Sequence, residues 1–119
     1  WGLGEVYLDQ GDLDLALATL QDALSRLWEL GEVWSAILCL ERIAKLLARR
    51  NQAEAVTLAA AATAWRARVG LPLPPVDAAR LDHGLTELRA SLSPELLSAL
   101  DQQGMGLSSS QVVAMALAA

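Results

Sequence analysis

Phenylalanine is absent from this chain and tyrosine occurs once, while Ala and Leu dominate an apolar fraction of 54%. Strand-favouring residues are therefore scarce and good helix formers abundant, which predicts an all-helical protein. Cysteine is nearly missing too. A single one, Cys39, excludes an internal disulfide and suits a reducing, cytoplasmic setting. Set amid Ile37, Leu38 and Leu40, it reads as a small core residue. Long hydrophobic runs are lacking. The longest mostly apolar stretch, 55–65, is 11 residues and is broken by Thr57 and Thr63, against the roughly 20 that cross a bilayer. Basic residues are outnumbered, 9 against 14 acidic for a net charge of -5, so this segment is expected to repel duplex nucleic acid. The start, Trp1-Gly2-Leu3-Gly4, has neither Met nor the regions of a signal peptide. The chain is expected to be a piece of a longer one.

What is present is a helical beat. Leu3, Val6 and Tyr7 share one stripe, and Leu13, Ala16, Leu17, Leu20, Ala23, Leu24 and Leu27 share the next, with Gly11 between them. After Gly31 the pattern resumes as Val33, Ile37, Leu40, Ile43, Ala44 and Leu47, pauses at Arg50-Asn51-Gln52, and continues from Ala55 to Val69 before Gly70. Two helical hairpins are expected over 1–70. They also repeat each other: a shift of 40 pairs Leu3 with Ile43, Tyr7 with Leu47 and Gly11 with Asn51, and a shift of 39 pairs Ala16 with Ala55, Ala23 with Ala62 and Gly31 with Gly70. Such a period implies a helical-hairpin solenoid whose units bury apolar faces by stacking. Small residues at Gly4, Ala16, Ala23, Ala44, Ala55 and Ala62 let the paired helices approach closely.

Past Gly70 the run Leu71-Pro72-Leu73-Pro74-Pro75 cannot continue a helix and forms a linker over 71–75. Residues 76–119 then read as C-terminal helices that cap the solenoid within one structural domain. The first spans Val76 to about Ser91, with Gly84 inside it. The second starts at Ser93-Pro94-Glu95 and is broken by Gly104-Met105-Gly106. The last follows the capping-box pair Ser108 and Gln111 and is almost wholly apolar.

Chemistry is sparse. The acidic knot of Asp9, Asp12 and Asp14 around Gly11 fails the calcium-loop spacing in either frame, because Leu20 or Ala23 stands where a bidentate Glu is required. It reads instead as a helix junction, with Gly11 as a left-handed stop, Asp12 as N-cap and Asp14 in the first turn. His83 is the only histidine, and Asp82 lies beside it rather than facing it, so it reads as solvent-exposed. Neither G-x-x-x-x-G-K-[ST] nor G-x-G-x-x-G occurs. No catalytic residue, metal or cofactor is expected. The four tryptophans, Trp1, Trp28, Trp34 and Trp65, read as fillers of inter-helix space.

Leu3-Gly4-Glu5-Val6-Tyr7, followed by Ala16-x-x-x-Leu20 and Ala23, is similar to the tetratricopeptide signature. The whole chain also resembles the C-terminal region of large bacterial signalling ATPases with tetratricopeptide arrays, including LuxR-type transcriptional regulators and related nucleotide-cyclase proteins. The features that carry this are Gln10-Gly11-Asp12, Leu38-Cys39-Leu40-Glu41, the Pro-rich run after Gly70, and Gly104-x-x-Leu107-Ser108. The resemblance implies a tetratricopeptide-like solenoid with a C-terminal helical cap. It also implies a non-catalytic protein-interaction or regulatory role in the cytoplasm, the partner being a protein or peptide segment or other domains of the parent chain. The concave groove would present Trp1, Glu5, Leu8 and Asp9 from the first unit and Glu41, Lys45, Ala48 and Arg49 from the second. The competing expectation is an architectural cap or homo-oligomerisation segment, such as a homodimer contact, with no groove ligand.

Overall fold

The computed structural model describes residues 12–119. Among them six helices follow one another: α1 (Leu13–Leu30), α2 (Val33–Arg49), α3 (Glu54–Val69), α4 (Pro75–Ser91), α5 (Pro94–Met105) and α6 (Ser109–Ala118). No strand occurs among the described residues, so the all-helical expectation holds. No helix of the described residues is long and apolar enough to cross a membrane.

Local chemistry sets the boundaries. Asp12 occupies the N-cap position of α1 without a side-chain cap bond, whereas Asp14 in the first turn reaches Arg50 at the end of α2, 2.9 Å away. Gly11, the stop expected before it, lies outside the described residues. α1 and α3 end on Gly31 and Gly70, both left-handed with φ 73° and 70°, and Asn51 closes the turn after α2 at φ 61°. Asn is one of the few side-chain-bearing residues that tolerates this region, as its alignment with Gly11 predicted. α4 opens at Pro75 rather than Val76, since a proline at the first helical position loses no intrahelical bond. At α6 the capping box is complete: the Gln111 amide donates to Ser108 Oγ at 3.2 Å and the Ser108 amide to Gln111 Oε1 at 2.8 Å.

The core joins all six helices. α1 packs on α2 and α2 on α3, while α4 rests on α2 and α3 and α6 lies mainly on α1. Of the small residues expected at close helix contacts, Ala16, Ala44, Ala55 and Ala62 are fully buried and Ala23 is half-buried, while Gly4 lies outside the described residues. The closest association is α5 along α3. It explains why Gly104 does not break α5: its backbone sits directly on α3, where a Cβ would lie 2.9 Å from Ala60 Cβ and 3.0 Å from the Ala61 nitrogen. The helix therefore runs through Gly104 and ends one residue later, a correction to the break expected from sequence. Gly84 serves α4 similarly, allowing it to cross the Lys45 stem. The apolar α6 buries Val112, Val113 and Ala116. Gln21 Nε2 on α1 donates to the carbonyls of Ala116 and Ala119, at 3.0 and 3.1 Å, supplying the C-terminal partner that no basic residue provides.

Gly104→Ala therefore overpacks the α3–α5 contact, and a loss of about 1–3 kcal/mol is expected despite the better helix propensity of alanine. Gly106→Ala, where the nearest atoms are 3.6 Å away, should stay within about 0.5 kcal/mol of the parent. Urea unfolding followed by circular dichroism measures both; equal midpoints for the two variants would contradict the close-approach account.

Candidate functional site

Along the outward side of α3, Ala60, Thr63, Ala64 and Ala67 fall at helical spacing on one face. α4 and α5 both dock on α3 yet scarcely touch each other, so this face stays open between them. The result is a groove of about 470 Å³ with Leu81 and Leu85 of α4 on one wall and Met105 of α5 on the other. Toward the linker it adjoins a hollow of about 390 Å³ bordered by Pro72 and Leu73. Volumes of this order suit a few apolar side chains or a small ligand. Charge is confined to the walls: Asp82 is exposed on α4 and forms no ion pair among the described residues, and Arg89 of α4 reaches Asp101 of α5 at 3.8 Å. The Thr63 hydroxyl is already engaged, donating to the Ala59 carbonyl at 3.0 Å. An apolar floor between charged walls can hold a side chain; it presents no nucleophile paired with a base.

Of the residues expected in a concave groove, Trp1, Glu5, Leu8 and Asp9 lie outside the described residues. The structure takes the second-unit set apart. Glu41 is 4% exposed and sits inside, where Arg66 of α3 donates to it from Nε at 2.7 Å and from Nη2 at 2.8 Å. Burial and this two-pronged bond remove it from any open face, which corrects its expected place in the concave groove beside Lys45. Lys45 is half-buried beneath α4. Ala48 is buried, and Arg49 alone of the four is exposed. At Lys45, α4 covers a part of α2 that was expected to be open.

Sequence reasoning did not find Arg66, which is 3% exposed and uses Nη1 to donate to the Leu71 carbonyl at 3.0 Å. One guanidinium thus ties α2, α3 and the linker together. Its position directly after the apolar run 55–65 was the available signal, because a charge there must be paired if the helix is buried. The tryptophans also divide. Trp65 is buried as expected and meets Trp28 edge-on with ring centroids 5.9 Å apart, but Trp34 is 52% exposed and fills no inter-helix space.

The remaining reactive groups are poorly placed for chemistry. Cys39 is fully buried, and burial pushes its thiol up to about 12, with Arg42 pulling weakly the other way. The protonated thiol is a poor nucleophile at neutral pH. His83 is exposed. No trio of His, Cys, Asp or Glu that could hold a metal occurs among the described residues.

Two outcomes follow. Replacing Glu41 with Ala leaves Arg66 buried and unpaired and should cost about 3–5 kcal/mol, whereas Glu41→Leu combined with Arg66→Met should lose much less than the two single changes added together; urea unfolding of the cycle measures the coupling, and simple additivity would refute it. For Cys39, the unfolded thiol ionises near 9 and the folded one near 12. Its contribution to stability is thus full below about pH 9 and is lost as pH rises toward 12. Cys39→Ala should accordingly show a shallower fall in urea midpoint between pH 9 and 11 than the parent, and parallel profiles would contradict this. No family model, curated protein or solved structure matches the chain.

Proposed function

We propose that this chain is a non-catalytic protein-interaction module, tetratricopeptide-like in architecture, from a cytoplasmic bacterial signalling or transcriptional regulator. Its open groove over α3 receives a segment of a partner protein or of a neighbouring domain. The observation that carries the reading is the separation of α4 from α5 while both rest on α3, which leaves a floor of Ala60, Ala64 and Ala67 accessible to a visiting apolar side chain. Small floor residues support the seating of a bulky anchor, and the charged walls at Asp82, Arg89 and Asp101 would fix its register. The hairpin repetition and the left-handed turn at Asn51 support the tetratricopeptide-like description. The protonated Cys39 and the exposed His83 favour binding over catalysis.

Peptides selected against the chain from a displayed library of helical sequences should compete for this groove. Ala64→Trp fills it from the floor and should weaken their binding at least ten-fold with unchanged helicity. Selected peptides that bind the filled variant as tightly as the parent would refute the groove as the binding site.

A further inference from the structure

A second surface lies away from the groove. The segment from Trp28 to Trp34, which contains the α1–α2 turn, carries Leu30 at 74% exposure, Trp34 at 52% and Trp28 at 36%. Because α2 and α3 form a hairpin, the end of α3 lies at the same end of the molecule, and Val69 there is 42% exposed. Exposed tryptophan within an apolar patch marks a contact site. Trp28 is already braced by its edge-on contact with Trp65, so little side-chain freedom remains to be lost when a partner covers it.

Charge and size decide what fits. Glu29 and Glu32 lie within the same segment, both are exposed, and neither forms an ion pair among the described residues. α1 and α3 both finish here with left-handed glycines, so two helix C-termini add partial negative charge, and α1 has no basic residue in its last turn. Against these stand the N-terminus of α2 and the exposed Arg68, while the whole chain carries -5. Tryptophan faces next to carboxylates favour a cation with an apolar stem. The exposed apolar area of the four residues is on the order of 400 Å² if each large side chain counts roughly 200 Å². That is about half of the ~800 Å² per side of a stable protein–protein interface, so the patch suits a short segment better than a second copy of the chain.

We propose that this Trp28–Trp34 surface binds a short basic segment of a partner protein, with arginine or lysine side chains over the tryptophans and beside Glu29 and Glu32, and aliphatic side chains on Leu30 and Val69. It is a different surface from the α3 groove and does not depend on it.

The test titrates the chain with a capped hexapeptide of alternating arginine and leucine, and with its glutamate–leucine counterpart, following tryptophan emission and heat. The arginine peptide should bind and weaken several-fold between 50 and 300 mM salt, and the glutamate peptide should not bind. Trp34→Ala should weaken binding at least ten-fold. Glu29→Lys, which touches no core packing, should weaken it about five-fold and flatten the salt dependence. Ala64→Trp in the groove should leave this binding unchanged, so each surface fails or succeeds by itself. Equal binding of the two peptides, or an unchanged Kd in Trp34→Ala, would overturn the proposal. So would a dimer in light scattering that Trp34→Ala dissolves, or an emission shift on phosphatidylcholine vesicles that the same variant abolishes.

Discussion

Helix α3 is approached by α2, α4, α5 and α6, and side chains small enough to allow that crowding shape the rest of the molecule. Ala55, Ala59, Ala61 and Ala62 are buried around much of its circumference together with Val56, Leu58 and Trp65. A helix buried on several sides has no single apolar face. Its partners must therefore come close to gain contact, and α5 does so by presenting Gly104, the one residue whose backbone can lie on the Thr57–Ala61 turn. With α5 committed to that track and α4 held over Lys45 by Gly84, the two helices diverge and the floor between them stays open.

The ion pair of Glu41 and Arg66 answers a different need. Close packing of alanine does not fix how far one helix has slid along another, since a stripe of like methyl groups fits at neighbouring registers almost equally well. A guanidinium that bonds both Glu41 oxygens and the Leu71 carbonyl has one satisfactory position. It sets α2 against α3 and also the point where the chain leaves α3 for the prolines and the start of α4. An isolated buried ion pair is a weak source of net stability; here its effect is registry, which determines where the walls of the groove stand.

Much of this was legible in the sequence. Helix existence followed from composition and periodicity, and most ends followed from Gly31, Asn51, Gly70, Ser93 and Ser108, because turn chemistry is local; Pro75, read as linker, instead opens α4. What was not legible depends on tertiary contact. Gly104 looks like a breaker in a single sequence and becomes a packing residue only when α3 lies beneath it. Glu41 and Lys45 have the spacing of an exposed pair, yet one is buried by a partner 25 residues away and the other is crossed by α4. The groove floor left only a trace in sequence, the alanine run from Ala59 to Ala62 with Ala64 and Ala67 beyond it, because periodicity cannot say which side of an apolar helix remains uncovered. Trp34 was misjudged for the related reason that a large ring signals burial only where a neighbour exists to bury it.

A helical bundle built this way keeps its rigidity in the middle and its open surfaces outside. The groove rests on α3, and the tryptophan patch is braced through Trp65 on the opposite side of the same helix, so both surfaces depend on α3 holding its place. Native-state hydrogen exchange tests that dependence most directly. Amides of α3 from Leu58 to Trp65 should exchange only by global unfolding, with the highest opening free energies in the chain, while those of α4 and α6 open at lower free energy. Exchange of α3 amides through a local opening, at free energies below those of α1 or α4, would contradict the account.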